Sequence, residues 1–223
     1  MDVYGIYGAG GYGREVLPVV KNMMDKLSCF MLDGTVVFIV DDPEEAEVNG
    51  CKVMTPDEFL NSDFENKYFN IAIGDSSARE RISSRMEIGG AKPFTIRHEN
   101  VVVFDGCEIH DSAILSPFTC ITSNAKIGKY FHANLYSYVA HDCVIGDFVT
   151  FAPGVKCNGN VTIEDHAYIG TGAIIKQGTP KRPITIGKGA IVGMGAVVTK
   201  SVPPGVTVIG NPARPLGKEA LKS

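Results

Sequence analysis

No stretch of this chain approaches the roughly 20 consecutive apolar residues needed to cross a bilayer. The opening segment, Met1 to Gly10, has no basic run leading into an apolar one, so a secretory leader is not expected and a cytosolic location is. Cysteine is present but unorganised. The residues at 29, 51, 107, 120, 143 and 157 form no CxxC pair and no zinc-ribbon spacing, and in a reducing compartment they read as small buried hydrophobes. Asn160-Val161-Thr162 has the form of a glycosylation sequon, which means nothing without a secretory route. Also missing is the interleaving of aromatic and basic residues that single-stranded nucleic acid requires.

The 223 residues suffice for one large domain or two small ones, and 44% hydrophobic with 21% charged content belongs to an ordinary globular protein. The net charge of −4 is unevenly spread. From Lys176 onward, eight Lys or Arg (176, 181, 182, 188, 200, 214, 218 and 222) face a single acid, Glu219, so this tail carries +7 and the remainder −11. A solvated basic face would account for it, as would a site for a small polyanion.

Counting in sixes from Val103 gives Ile109, Leu115, Ile121, Ile127, Ala133, Val139, Ile145, Phe151, Cys157, Ile163, Ile169 and Ile175, all apolar, and the register resumes at Ile186, Val192 and Val198. Two residues before each lies a second column of mostly small residues, among them Cys107, Ala113, Ala125, Ser137, Cys143, Ala167, Ala173, Ala190 and Ala196; Phe131 is its bulkiest exception. Just after the main position Gly or Asn is frequent (Gly128, Asn134, Gly146, Asn158, Gly170, Gly187, Gly193), and these are expected to make the tight turns. Short strands alternating with turns at this period close three-sided coils of about 18 residues, which bury a continuous aliphatic column when stacked. Five coils or so fit between Val101 and Lys200, with a loop expelled from a corner at 176–183.

The first hundred residues read differently. A strand at Val3–Tyr7 runs into Gly8-Ala9-Gly10-Gly11-Tyr12-Gly13 and then a helix from about Arg14 to Lys26, with Pro18 acceptable only near its first turn. In that context the glycines let backbone N–H groups approach a diphosphate at the helix N-terminus. A second strand, Val36–Val40, ends at Asp41-Asp42, where an acid that holds a ribose belongs; Asp33 has the nominal spacing but precedes the strand. A third, Phe69–Ile73, ends in Gly74-Asp75-Ser76-Ser77, which can cap a helix over 78–87, and Arg79 lies in that helix. So short an α/β unit suits a nucleoside diphosphate carrying a sugar better than a dinucleotide.

Among the five histidines (98, 110, 132, 141 and 166), His141 follows the inward Val139 by two residues, so it projects outward near a corner, with Asp142 beside it. A neutral imidazole suits proton abstraction from an amine or hydroxyl, and a carboxylate fixes its tautomer. Cys143 and Cys157 fall on inward columns, which argues against a covalent acyl-enzyme.

The six-residue period resembles the hexapeptide-repeat acyltransferases. The segments Ser137-Tyr138-Val139-Ala140-His141-Asp142-Cys143-Val144-Ile145-Gly146-Asp147 and Lys156-Cys157-Asn158-Gly159-Asn160 are similar to the catalytic coil of bacterial nucleotide-amino-sugar N-acetyltransferases of the bacillosamine and perosamine type. The resemblance spans nearly the whole chain. It implies a left-handed parallel β-helix behind a small Rossmann-like domain, as residues 98–223 and 1–97. It further implies a homotrimer with sites at subunit interfaces, acetyl-CoA as co-substrate, no metal, and a place in O-antigen or surface-glycan biosynthesis. The base and its acid fall on His141 and Asp142, with Asp where some members carry Glu, and the thioester-facing N–H on Gly159. A second histidine of some relatives is Thr150 here. The nucleotide sugar would be held by Gly8, Gly10, Gly11, Tyr12 and Gly13, by Asp41 and Asp42, and by Gly74, Asp75, Ser76 and Arg79. The pantetheine arm would meet Thr171, Gly172 and Gly193, the phosphates Lys176, Lys188 and Arg214.

Four rivals share the coil. A zinc hydratase needs a histidine near position 146, which is Gly. An O-acetyltransferase usually lacks the Gly-rich N-terminal domain, and a nucleotidyltransferase needs a longer one. A trimeric binding scaffold without activity would not bind acetyl-CoA.

Overall fold

The computed structural model describes residues 1–28 and 34–217, so Cys29, Asp33, Lys218, Glu219 and Lys222 lie outside the described residues. The chain divides into two compact units, Met1–His98 with Asp111–Ala113, and Glu99–His110 with Ile114–Ser223.

The first unit opens with β1 (Asp2–Tyr7), α1 (Gly11–Ser28) and β2 (Gly34–Ile39). A short hairpin of β3 (Glu47–Val48) and β4 (Cys51–Met54) follows, then α2 (Pro56–Leu60), β5 (Lys67–Ile71), α3 (Ser76–Ile88) and β6 (Lys92–Pro93). The strands lie in the order β3-β4-β2-β1-β5-β6, and β1 pairs parallel with β2 on one side and β5 on the other. The chain thus leaves β1 in one direction and later returns on its far flank, which opens a crevice at the carboxyl ends of β1 and β5. Val3, Ile6, Phe38, Ile39, Phe69 and Ile71 are fully or almost fully buried, as expected of a sheet covered on both faces.

Two local expectations need correction. Helix α1 begins at Gly11, three residues earlier than its periodicity indicates, so Pro18 sits in its interior. Pro18 lies on the exposed side, where water can serve the Arg14 carbonyl that loses its helical donor. The strands end one or two residues sooner than expected, before Val40 and before Ala72.

The second unit is a parallel β-helix with three flat faces. One face runs from Val102–Val103 through Cys120–Ile121, Tyr138–Val139, Lys156–Cys157 and Ile174–Ile175 to Val197–Val198. Each strand pairs with the one a full coil later: Cys120 with Tyr138, Lys126 with Val144, His132 with Thr150. Past Ile175 the offset grows by the expelled loop, so Val161 pairs with Ile184 and Tyr168 with Ile191. The column from Leu115 to Val198 is buried throughout, Ile121, Val139, Cys157, Ile163, Ile169 and Ile175 completely. Phe131 fits because the next inward residue is the small Ala133; its ring meets Phe151 edge-on, centroids 5.1 Å apart.

The turn chemistry differs from expectation. The left-handed residue of each corner comes three positions after the column residue, at Phe118, Asn124, Tyr130, Tyr136, Asp142, Phe148, Asn160 and His166, and at Gly106, Gly154, Gly172, Gly189 and Gly195. The glycines just after the column serve stacking instead. A Cβ on Gly170 would lie 2.6 Å from the Met194 nitrogen, and one on Gly187 would run into the Pro204 nitrogen. The next coil's backbone passes too close for any side chain.

Candidate active site

The corner at the end of the Tyr138–Val139 strand carries His141 and Asp142. Asp142 adopts the left-handed conformation, φ 57°, and its N–H donates to the Ser123 carbonyl one coil below at 3.0 Å. That kink turns the imidazole outward. His141 Nδ1 lies 2.8 Å from Asp142 Oδ2, while Asn124 Nδ2 donates to Asp142 Oδ1 at 3.1 Å. These contacts, His141 first and Asn124 second, hold the Asp142 carboxyl below the usual carboxylate range. The side chains of His141 and Asp142 are 47% and 46% exposed in the single chain, so water screens the pair there.

Nε2, the other ring nitrogen, faces Gly159 one coil further on. A Cβ at position 159 would overlap Nε2 and Cε1, so only glycine leaves the ring this seat. Among the described residues no acceptor takes the Gly159 N–H, whereas its carbonyl accepts from the Gly178 N–H at 2.9 Å. Gly178 belongs to the expelled loop, and Ile184, the first residue after that loop, donates to the neighbouring Asn160 carbonyl at 3.3 Å. The segment before Gly159 is braced by Asn158: its Oδ1 accepts from the Tyr138 hydroxyl at 2.9 Å and its Nδ2 donates to the Ile175 carbonyl at 2.7 Å. Cys143 and Cys157 are wholly buried, their sulfurs 4.0 Å apart, and neither is accessible for acyl transfer. Thr150 is buried on another face.

The expected coenzyme residues separate by corner. Lys176 shares the His141 corner, whereas Thr171, Gly172 and Gly193 lie at the opposite end of the same face. Gly172 is left-handed with open space around it; Gly193 is glycine because a Cβ would meet Ile209 Cγ2 at 2.7 Å. Lys188 departs from expectation. It sits on the third corner, its ammonium 3.8 Å from the Asp165 carboxylate, and within one chain it does not join the others. The residue-by-residue charge count could not show this, because the three corners alternate along the chain. Arg214 is exposed near the end of the prism, in a strand antiparallel to Thr207–Ile209.

In the first unit the glycines divide their roles. Gly8 takes a left-handed φ of 102°, and a Cβ on Gly13 would run into the Gly8 carbonyl, so Gly13 is what lets α1 start against the loop. Gly10 and Gly11 are open. Gly8 also lies beside Ala72 and Ile73, which brings the Gly74-Asp75-Ser76 loop alongside. Asp75 caps α3 through the Ala78 N–H at 2.7 Å. Arg79 corrects its expected role as a ligand contact: it is fully buried, and its Nη1 donates to the carbonyls of Ile73 and Gly74 at 2.9 and 3.0 Å. Burial pushes its pKa down to about 10. It supports the loop from beneath. Asp41 accepts from the Tyr7 hydroxyl at 2.6 Å and pairs with Arg85 at 3.0 Å, while Asp42 is exposed. Sequence reading missed Asn124, which is found by stepping back one coil from Asp142. It also missed a cleft of about 230 Å³ lined by Ala9, Arg14, Val40, Pro43, Glu44 and Glu45, for which the sequence holds no motif. Among the described residues no group of His, Cys, Asp and Glu is gathered as a metal site would need.

A three-sided hexapeptide prism with an imidazole–carboxylate pair at one corner, preceded along the chain by a Gly-loop α/β unit, defines the class of sugar acetyltransferases with a left-handed β-helix. The comparisons narrow it. A family profile described as PglD N-terminal domain matches residues 5–86, and one described as hexapeptide repeat of succinyl-transferase matches 160–200. GDP-perosamine N-acetyltransferase of Escherichia coli O157:H7 is 55% identical over 97% of each chain. The structure of WeeI from Acinetobacter baumannii AYE, also 55% identical, superposes with a TM-score of 0.91 over 97% of this chain and 100% of that one. A histidine-to-asparagine mutant of perosamine N-acetyltransferase from Caulobacter crescentus, in complex with CoA and GDP-perosamine, is 26% identical with a TM-score of 0.84, covering 96% and 97% of the two chains. This chain belongs to the nucleotide-amino-sugar N-acetyltransferase family that includes the E. coli enzyme.

Proposed function

We propose that this protein transfers the acetyl group of acetyl-CoA to the amino group of GDP-perosamine or a close GDP-linked amino sugar, directly and in a ternary complex. The observation that carries the mechanism is the placement of His141, with Nδ1 on the Asp142 carboxylate and Nε2 facing Gly159. With Nδ1 protonated toward Asp142, Nε2 is the acceptor that removes a proton as the amine attacks the thioester carbonyl. The Gly159 N–H stabilises the oxyanion of the tetrahedral intermediate. As that intermediate collapses, His141 returns its proton to the departing CoA thiolate.

Residues 1–97 bind the nucleotide sugar in this reading, the diphosphate at Gly8, Gly10, Gly11, Tyr12 and Gly13, with Asp41, Asp42 and the 74–76 loop near ribose and sugar. Glu44 and Glu45 favour guanine: a carboxylate accepts the adjacent N1–H and N2–H donors that guanine offers and uracil or thymine lacks. Residues 98–223 bind acetyl-CoA along the face between Thr171, Gly172 and Gly193 and the His141 corner, with Lys176 and Arg214 toward its phosphates. The half-exposure of His141 supports assembly as a homotrimer, in which a neighbouring protomer covers the site and excludes water.

The test is a screen of acetyl-CoA against GDP-, UDP- and dTDP-linked amino sugars, reading released thiol. GDP-perosamine should turn over fastest, and His141→Ala should lose about 10²–10⁴-fold. Absence of turnover with every amino sugar overturns the substrate reading, and a fully active His141→Ala overturns the base.

A further inference from the structure

The corner that carries His141 recurs once per coil, and its left-handed residues form a column: Gly106, Asn124, Asp142 and Asn160, with φ of 73°, 64°, 57° and 55°. Glycine, asparagine and aspartate are the residues that accept this conformation most readily, so backbone geometry alone would be satisfied by glycine at 124. The asparagine supplies something further. Its Nδ2 holds one oxygen of the Asp142 carboxylate at 3.1 Å while His141 Nδ1 meets the other at 2.8 Å. A carboxylate on so short a side chain can still rotate and exchange its oxygens. A second donor, fixed to the coil below, removes that freedom.

We propose that Asn124 is a positioning residue of the transfer reaction, acting through Asp142 to keep the imidazole in the tautomer and orientation that leave Nε2 free to accept the amine proton. This rests on the reading of His141 as the base. The physical requirement is general: an orienting carboxylate that is itself left mobile lets the imidazole turn and mispositions the base. The Asp142 N–H is anchored on Ser123 in the same coil as Asn124, so backbone and side chain of Asp142 are both set by the coil below.

The test is Asn124→Gly, which removes the donor and keeps the corner, since Gly106 occupies the equivalent position one coil earlier. We expect kcat to fall about tenfold, the loss of one hydrogen bond to a charged group, with both KM values within about twofold and an unchanged Tm. In an Asp142→Ala background the same substitution should have no further effect, because the interaction it removes is already gone. Asn124→Asp, which keeps the shape and the left-handed tolerance but lacks the amide donor, should reproduce the loss at neutral pH and serves if the glycine variant folds poorly. Full kcat in Asn124→Gly or Asn124→Asp, or an undiminished loss on top of Asp142→Ala, overturns the proposal. The base reading fails separately, by wild-type turnover in His141→Ala.

Discussion

At the scale of single residues, the mechanism proposed above depends on keeping the two nitrogens of His141 distinct and on the absence of one methyl group. Gly159 is not in a left-handed conformation, so its glycine is explained by the ring that sits on it. Gly159→Ala should therefore leave the fold intact and push the imidazole away. About a hundredfold loss of kcat with little change in Tm is expected, since ångström-scale misplacement of a base has that effect; thiol release and differential scanning fluorimetry on one preparation check it. Tyr7 offers a test in the first unit. Burial, together with its hydrogen bond to Asp41, holds the Tyr7 hydroxyl well above its ordinary range. The unfolded chain loses this proton near about pH 10 and the folded chain only at higher pH. The stability this group contributes is then full below about pH 10 and is lost as pH rises beyond it. Urea unfolding of wild type and Tyr7→Phe at pH 8 and pH 10.5 should show the difference between them shrinking at the higher pH; a constant difference would contradict it.

At the scale of elements, the coil is built from two kinds of glycine that the sequence does not distinguish. Gly170 lies against the next coil's backbone, 2.6 Å from the Met194 nitrogen to a virtual Cβ, whereas Gly195 is left-handed with open space around it. Gly170→Ala has to force two coils apart and should lower Tm by many degrees. Gly195→Asn meets only the mild preference of a left-handed corner that asparagine already fills at 124 and 160, and should move Tm by a few degrees at most. Equal effects in a thermal melt would refute the distinction. The inward columns were legible because burial imposes a strict alternation on residues close in sequence. The left-handed positions were not, because Phe118, Tyr130, Tyr136 and Phe148 take them against their own preference; stacking offsets this, as between Phe118 and Tyr136 at 4.9 Å and Tyr130 and Phe148 at 5.5 Å.

At the scale of the whole molecule, the basic tail that looks like one patch in sequence is distributed by the prism. Lys176 and Lys188 fall on different corners and Arg214 near the end. The half-exposed His141–Asp142 pair of the single chain leaves room for a covering surface, which the homotrimer proposed above would supply. Light scattering at micromolar concentration should return three times the 23.9 kDa chain mass, and a monomer there would remove that account of the site.

Periodicity settled the architecture in advance: residues six apart share an environment, so the inward columns, the expelled loop at 176–183 and the outward direction of His141 all follow from local alternation. Likewise a glycine loop between a strand and a helix announced the first unit. What came only with the folded chain is the seat of His141: the hold of Asn124 on the Asp142 carboxylate and the fit of the ring against Gly159. Asn124 lies 18 residues before Asp142 and Gly159 18 after His141, and which side chains meet across coils depends on the hydrogen-bonded register of stacked strands. The 18-residue period proposes that register, but the donors and distances that meet across it belong to the stack, set by backbone pairing between segments far apart in the chain.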